Sequence, residues 1–292
     1  MSGDPSAALH EAARRAGIDM RGAELIRAGE NVLFRLPGGV VARVSRPGQG
    51  GAAAKEVEVS GWLAASGIPV VEALPDIAQP VEAAGRSVTF WRELPKHEIG
   101  RAADVAELLV RVHSLPLPTT FTLPPLAPFV RLAERINEAK TLSADDHAWL
   151  LNRLGELQLQ YESLPPGLPT CAVHGDAWGG NVVATDSGPI LLDLERFAVG
   201  PPEWDLVSIA VDHFTFCAVT AAEWEAVCQR YGHNVTEWPG YETLRDIREL
   251  RKVTFAVQMA AQHPHVRDQA AYRVACLQGK RGPRPWHWHG VP

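Results

Sequence analysis

Lysine is scarce in this chain, limited to Lys55, Lys96, Lys140, Lys252 and Lys280, and acidic residues outnumber basic ones to leave a formal net charge of −6. That sign argues against a nucleic-acid partner, because nucleic-acid binders carry a basic surface. It suits a neutral or cationic small substrate. Cysteine is sparse too: Cys171, Cys217, Cys228 and Cys276 form no C-x-x-C pair and no zinc spacing. Reduced, buried thiols are expected, as in a cytosolic protein. No apolar run approaches the ~18 residues of a membrane span, and residues 1–19 lack the apolar core of a secretory signal. The expectation is a cytoplasmic protein without membrane or nucleic-acid partners, monomer or homodimer.

What is present is ordinary globular composition, with 46% hydrophobic and 21% charged residues over 292 positions. That length accommodates two lobes or one large domain. The first ninety-odd residues read as strands with one helix. Runs 31–36 and 40–44 are joined by Pro37-Gly38-Gly39, a hairpin signal. Residues 50–65 read as a helix stopped at Ser66-Gly67. Residues 76–80 and 86–94 read as two further strands, and Pro95 marks a hinge. The rest reads as mainly helical. Val105, Leu108, Leu109 and Val112 share one helix face. Ser143 with Asp146, and Thr220 with Glu223, are capping-box signatures. Residues 241–262 and 266–277 read as two more helices, and 115–128 as an extended connection.

One segment carries the chemistry: VHGDAWGGNVVATDSGPILLDLERF, residues 173–197. Asp176 precedes Asn181 by five residues, and Asp193 follows Asn181 by twelve. Phosphoryl transfer asks a protein chiefly for positioning and charge compensation. One carboxylate must hold the acceptor hydroxyl, and two oxygen ligands must hold Mg²⁺ against nucleotide phosphates. Residues 182–184 and 190–192 read as strands around a turn-rich loop, 185–189. Pairing 182 with 192 and 184 with 190 sets Asn181 beside Asp193, with Cα atoms about 5 Å apart. Asp176 enters the same end from the preceding loop, where Gly179 and Gly180 allow a tight turn.

A strand-rich lobe, a hinge, then HGDxxxxN and LLDxE in a helical lobe resembles the aminoglycoside phosphotransferase / choline kinase family, relatives of the protein kinases. The resemblance implies an α+β, two-lobed, protein-kinase-like fold: a nucleotide-covering N-lobe over 1–94 and a helical C-lobe over 95–292. It implies Mg²⁺ and ATP or GTP as phosphoryl donor. It casts Asp176 as the catalytic base, His174 as the brace of its loop, and Asn181, Asp193 and Glu195 as the metal group. Asp205, in GPPEWDL, resembles a scaffold residue beneath the loop. Arg43 stands where kinases usually place Lys, paired with Glu56, to contact phosphates. Gly29, Glu30 and Asn31 fall where a loop closes over phosphates, though without G-x-G-x-x-G. Residues 89–94, including Glu93 and Leu94, match the hinge that reads a purine base.

The expected activity is O-phosphorylation of a small molecule, with a hydroxylated antibiotic such as an aminoglycoside as leading acceptor. A metabolic sugar or amino-alcohol kinase is one alternative; a nucleotide-binding pseudokinase, suggested by Arg43 alone, is another. A polycationic acceptor would call on acidic side chains among Asp212, Glu223, Glu225, Glu237, Glu242, Asp246 and Glu249. Trp286-His287-Trp288-His289 reads as a tail packing its indoles, and residues 279–284 as a solvated stretch.

Overall fold

The computed structural model describes residues 4–29 and 31–291. In chain order the elements begin with α1 (Pro5–Ala16), β1 (Glu24–Ala28), β2 (Val32–Leu36), β3 (Val40–Val44) and α2 (Gly50–Ala65). β4 (Val81–Ala83), β5 (Arg86–Arg92), β6 (Glu98–Ile99), α3 (Ala102–His113), α4 (Leu132–Asn137) and α5 (Ala144–Glu162) follow. Then come β7 (Cys171–Val173), β8 (Val182–Thr185), β9 (Gly188–Leu191), β10 (Ala198–Gly200), α6 (Glu203–Phe214), α7 (Ala221–Tyr231), α8 (Tyr241–Gln262) and α9 (Arg267–Leu277). These form two compact units: Met1–Leu123 with Gly179–Phe197, and Pro124–Trp178 with Ala198–Pro292.

The first unit is built on an antiparallel sheet of order β1-β2-β3-β5-β4. β2 and β3 pair from Val32↔Val44 to Leu36↔Val40, as the Pro-Gly-Gly turn requires. Val40, Ala42 and Val44 alternate inward along β3, the period-2 signature of a half-buried strand. Against them lies α1, which the sequence reading missed. Asp4 caps it, Pro5 sits in its first turn and Gly17 ends it in the left-handed region. Its Ala8, Leu9, Ala12 and Ala13 join Leu36, Val88 and Phe90 in one core. α2 has the predicted bounds. The strand predicted at 76–80 is absent; the pairing segment is β4, just beyond Pro80, whose missing N–H bars it from a ladder interior.

The hairpin carrying the chemical motif also belongs to this unit. Its register differs from the expectation by one residue: Val182 pairs Leu191 and Thr185 pairs Gly188. The turn is the two residues Asp186-Ser187. The Thr185 hydroxyl donates to the Gly188 carbonyl at 2.8 Å and accepts the Ser187 N–H at 3.2 Å. The strands therefore run further than their apolar letters suggest. Pro189 is accommodated because β9 is the edge strand of a β6-β8-β9 sheet.

The second unit is helical, with β7 and β10 as a short antiparallel pair. Ser143 caps α5, and Thr220 with Glu223 completes a capping box on α7, as read. α8 spans the predicted residues. The C-terminal indoles Trp286 and Trp288 are buried and stacked, with centroids 5.3 Å apart. Arg284 is not solvated as expected: it is ion-paired with buried Glu249 and with Asp246, and lies 4.4 Å over Trp286. Among the described residues no helix is long and apolar enough to cross a membrane.

Candidate active site

In the first unit, Arg43 of β3 is gripped from three sides. Its Nη1 donates to Glu56 Oε1 at 2.5 Å and its Nη2 to Glu195 Oε2 at 3.3 Å. With the Asn31 amide turned so that its oxygen faces these donors, that oxygen accepts from Nη2 at 2.5 Å and Nε at 2.9 Å. Ser45, Gln49, Ser87 and Thr89 line the same recess. Burial opposes the charge on Arg43, but Glu56, Asp193 and Glu195 outweigh it and hold the guanidinium protonated. Burial raises the Glu56 carboxyl above its ordinary range, and Arg43 opposes that rise. An ammonium could not serve all three acceptors with this planar fork.

Lys55, the neighbour of Glu56, donates from Nζ to the Phe197 carbonyl at 3.1 Å. Trp62 of the same helix meets the Phe197 ring edge-on at 6.5 Å. Thus α2 holds the 3₁₀ turn Leu194–Arg196 at its far end. Sequence reading missed this because side-chain reach across a fold leaves no local signal. The residue opening that turn is Asp193, at φ 54° and ψ 66°. A non-glycine residue in that region carries strain of ~1–3 kcal/mol, a pattern concentrated at functional sites. Asp193 is exposed, and its carboxylate makes no hydrogen bond among the described residues.

Asn181 is buried at the end of a 3₁₀ turn, Gly179–Asn181. Its carbonyl accepts the Leu192 N–H at 2.9 Å, so Leu192 stands opposite it and Asp193 lies one residue on. Gly179 serves close approach: a Cβ there would come 2.6 Å from the Gly100 carbonyl oxygen. Gly29 donates its N–H to the Asn31 carbonyl at 3.2 Å, closing the turn between β1 and β2. Glu30 lies outside the described residues. The Glu93 N–H is donated to the Gly39 carbonyl at 2.7 Å, and its side chain accepts from Arg35. That withdraws one of the backbone donors expected of the hinge.

In the second unit, Asp176 ends a loop that is wired from below. Asp205, fully buried, accepts the His174 N–H at 2.6 Å and the Gly175 N–H at 2.9 Å. His174 is fully buried, and its Nδ1 accepts the Asp176 N–H at 3.3 Å. Gly175 has φ +85°, which an L side chain rarely adopts. Its carbonyl accepts from Trp204 Nε1 at 2.9 Å and Arg248 Nη2 at 3.2 Å. Arg248 lies 4.0 Å over the Trp204 ring and donates from Nη1 to Asp176 Oδ1 at 3.4 Å. Arg248 is fully buried on α8. Its helix period, shared with buried Leu244 and Tyr241 one and two turns before it, was the available signal.

Most acidic side chains weighed for a polycation are already engaged. Asp246 pairs with Arg153, Arg245 and Arg284, and Glu249 with Arg284 and Thr215. Glu223 caps α7, Glu225 binds Gln229, Glu237 binds Asn234 and Glu242 pairs with Arg245. Asp212 on α6 is the exception. Burial raises its carboxyl to about 6, with Lys252 and Arg248 opposing and Asp176 reinforcing the rise.

Residues 27–247 match the APH phosphotransferase enzyme family. The chain belongs to that family. The match covers most of the chain, including Arg43, Glu56, Asp176, Asn181 and Asp193. This phosphotransferase resembles a choline/ethanolamine kinase family protein from Mesorhizobium loti (18% identity, 94% of each chain, TM-score 0.63). It also resembles spectinomycin phosphotransferase APH(9)-Ia, solved with ADP and spectinomycin (13% identity, 93% of this chain and 92% of that one, TM-score 0.62). A third likeness is APH(2")-IIia with GDP and kanamycin (12% identity, 94% of this chain and 99% of that one, TM-score 0.65). At such identities the likeness carries the fold, the α+β protein-kinase-like one. No curated protein matches by sequence.

Proposed function

We propose that this phosphotransferase moves the γ-phosphoryl group of a nucleoside triphosphate, ATP or GTP, to a hydroxyl of a small molecule. The observation that carries the reading is Asp176. Its carboxylate is one-third exposed at the end of a loop whose backbone is fixed by Asp205, Trp204 and Arg248. A carboxylate so held orients an acceptor hydroxyl and takes its proton as the phosphorus–oxygen bond forms. Arg248 steadies it by donating to Oδ1 at 3.4 Å.

The donor set of the first unit fits a Mg²⁺-nucleotide. Asp193 offers a carboxylate that makes no hydrogen bond among the described residues, and Asn181 an amide oxygen, both hard ligands. Among the described residues no group of three or more His, Cys, Asp or Glu side chains is placed to hold a metal alone. That suits Mg²⁺, which commonly takes one or two protein ligands and completes its shell with phosphate oxygens and water. When bound, the cation neutralises charge on the phosphates. Arg43 supplies a fixed positive charge to the nucleotide phosphates, held by Glu56, with Glu195 supporting from the metal side. Gly29, Asn31 and the described part of their turn cover the phosphates, and the Leu94 backbone with the Glu93 carbonyl reads the base.

The acceptor is a hydroxylated small molecule. Spectinomycin and kanamycin accompany two of the related structures, which supports an antibiotic. The test is release of nucleoside diphosphate from ATP and from GTP across a panel of hydroxylated acceptors. Acceptor-stimulated, Mg²⁺-dependent release is expected, with an Asp193→Ala variant needing far more Mg²⁺. Nucleotide binding without turnover for any acceptor would favour the pseudokinase reading instead.

A further inference from the structure

Trp178 follows Asp176 by two residues, and its indole is 42% exposed. An indole left open beside a reacting group offers a large flat apolar surface. Lys252 of α8 stands over this ring at 5.6 Å. It lies four residues, one helical turn, after Arg248, so α8 presents two cations toward the loop that ends in Asp176. Facing them are two carboxylates, Asp176 itself and Asp212 of α6. Buried Asp205, 3.9 Å from Arg248, adds a third carboxylate, and Arg251, 5.8 Å over the Trp204 ring, adds a third cation, so the charges balance and leave no net negative field. The other acids of α7 and α8 are held by neighbours of their own. A polycation gains attraction only from an excess of carboxylates.

We propose that the acceptor is a neutral or singly charged hydroxylated ring compound that stacks an apolar face on Trp178. Asp212 and Lys252 hydrogen-bond its polar edge, and polycationic aminoglycosides are poor substrates. This rests on the phosphotransferase reading and narrows it. A sugar ring meets the description, with its C–H face on the indole and its hydroxyls toward a carboxylate and an ammonium. In the transfer step the acceptor O–H proton passes to Asp176, the oxygen–phosphorus bond forms, and the bond to the nucleoside diphosphate breaks.

The experiment measures diphosphate release with neutral methyl glycosides, a singly charged macrolide, and kanamycin as acceptors, with acceptor-free nucleotide hydrolysis as a separate readout. Glycosides or the macrolide are expected to stimulate release at least about tenfold more than kanamycin at equal concentration. Trp178→Ala is expected to raise the acceptor KM by about tenfold, and Trp178→Phe to restore most of the loss. Kanamycin stimulating as well as or better than the others would overturn the inference and leave phosphotransfer standing. So would an unchanged acceptor KM in Trp178→Ala, or hydrolysis that no ring alcohol stimulates. Absence of both hydrolysis and transfer in every arm would overturn the parent reading, and this inference with it.

Discussion

Asp212→Asn is expected to make the protein more stable at neutral pH. Folding raises the Asp212 carboxyl from 3.8 to about 6, burial being the main cause. A raised carboxyl means the folded state favours the protonated form. Its contribution to stability is therefore fully present below pH 3.8 and is lost as pH rises through about 6. A rise of that size corresponds to a ceiling of ~3 kcal/mol, and screening by the solvent that reaches this half-buried group reduces that to about 1–2 kcal/mol. Asparagine keeps the shape and removes the penalty. For a chain of this size the gain corresponds to a rise in Tm of roughly 1.5–3 °C. Thermal unfolding of both proteins from pH 4 to pH 8 measures it. The difference should be near zero at pH 4 and largest above pH 7. An Asn variant that is no more stable at pH 8, or whose advantage does not change with pH, would refute the argument.

Three further outcomes follow from the site. Arg43→Met leaves Glu56 and Glu195 without their shared cation, and should raise the nucleotide KM by about tenfold or more; steady-state kinetics at varied nucleotide concentration measure it. Asp205→Ala removes the acceptor of two loop N–H groups and a neighbour of Arg248, and should lower stability by about 3–5 kcal/mol in denaturant unfolding. Gly175→Ala imposes a Cβ at φ +85°, with a strain of ~1–3 kcal/mol; turnover should fall because the strain sits next to Asp176, and wild-type kcat would contradict the loop geometry.

Much of this was legible in the sequence, for identifiable reasons. α2 and α8 were readable to the residue because a Ser-Gly stop and a long amphipathic period mark them. The Arg43–Glu56 pair was legible from a strand Arg and a helix Glu whose spacing matches a known fold. α1 was lost because an alanine-rich face carries little hydrophobic signal, although its Asp-Pro start and Gly stop were there. The hairpin register slipped by one because Thr185, Gly188 and Pro189 look like loop residues, whereas pairing across a two-residue turn draws them into strands. Arg248 and Lys55 could not be placed from sequence: their partners lie 72 and 142 residues away.

The central claim is that the Asp176 carboxylate serves phosphoryl transfer to an alcohol. Single-turnover transfer from Mg²⁺-nucleotide, with wild type and Asp176→Asn compared at saturating nucleotide and acceptor, tests it most directly. A fall of roughly 10²–10⁴-fold in the transfer rate, with nucleotide affinity retained, is the predicted result. An Asn variant that transfers phosphate at the wild-type rate would contradict it.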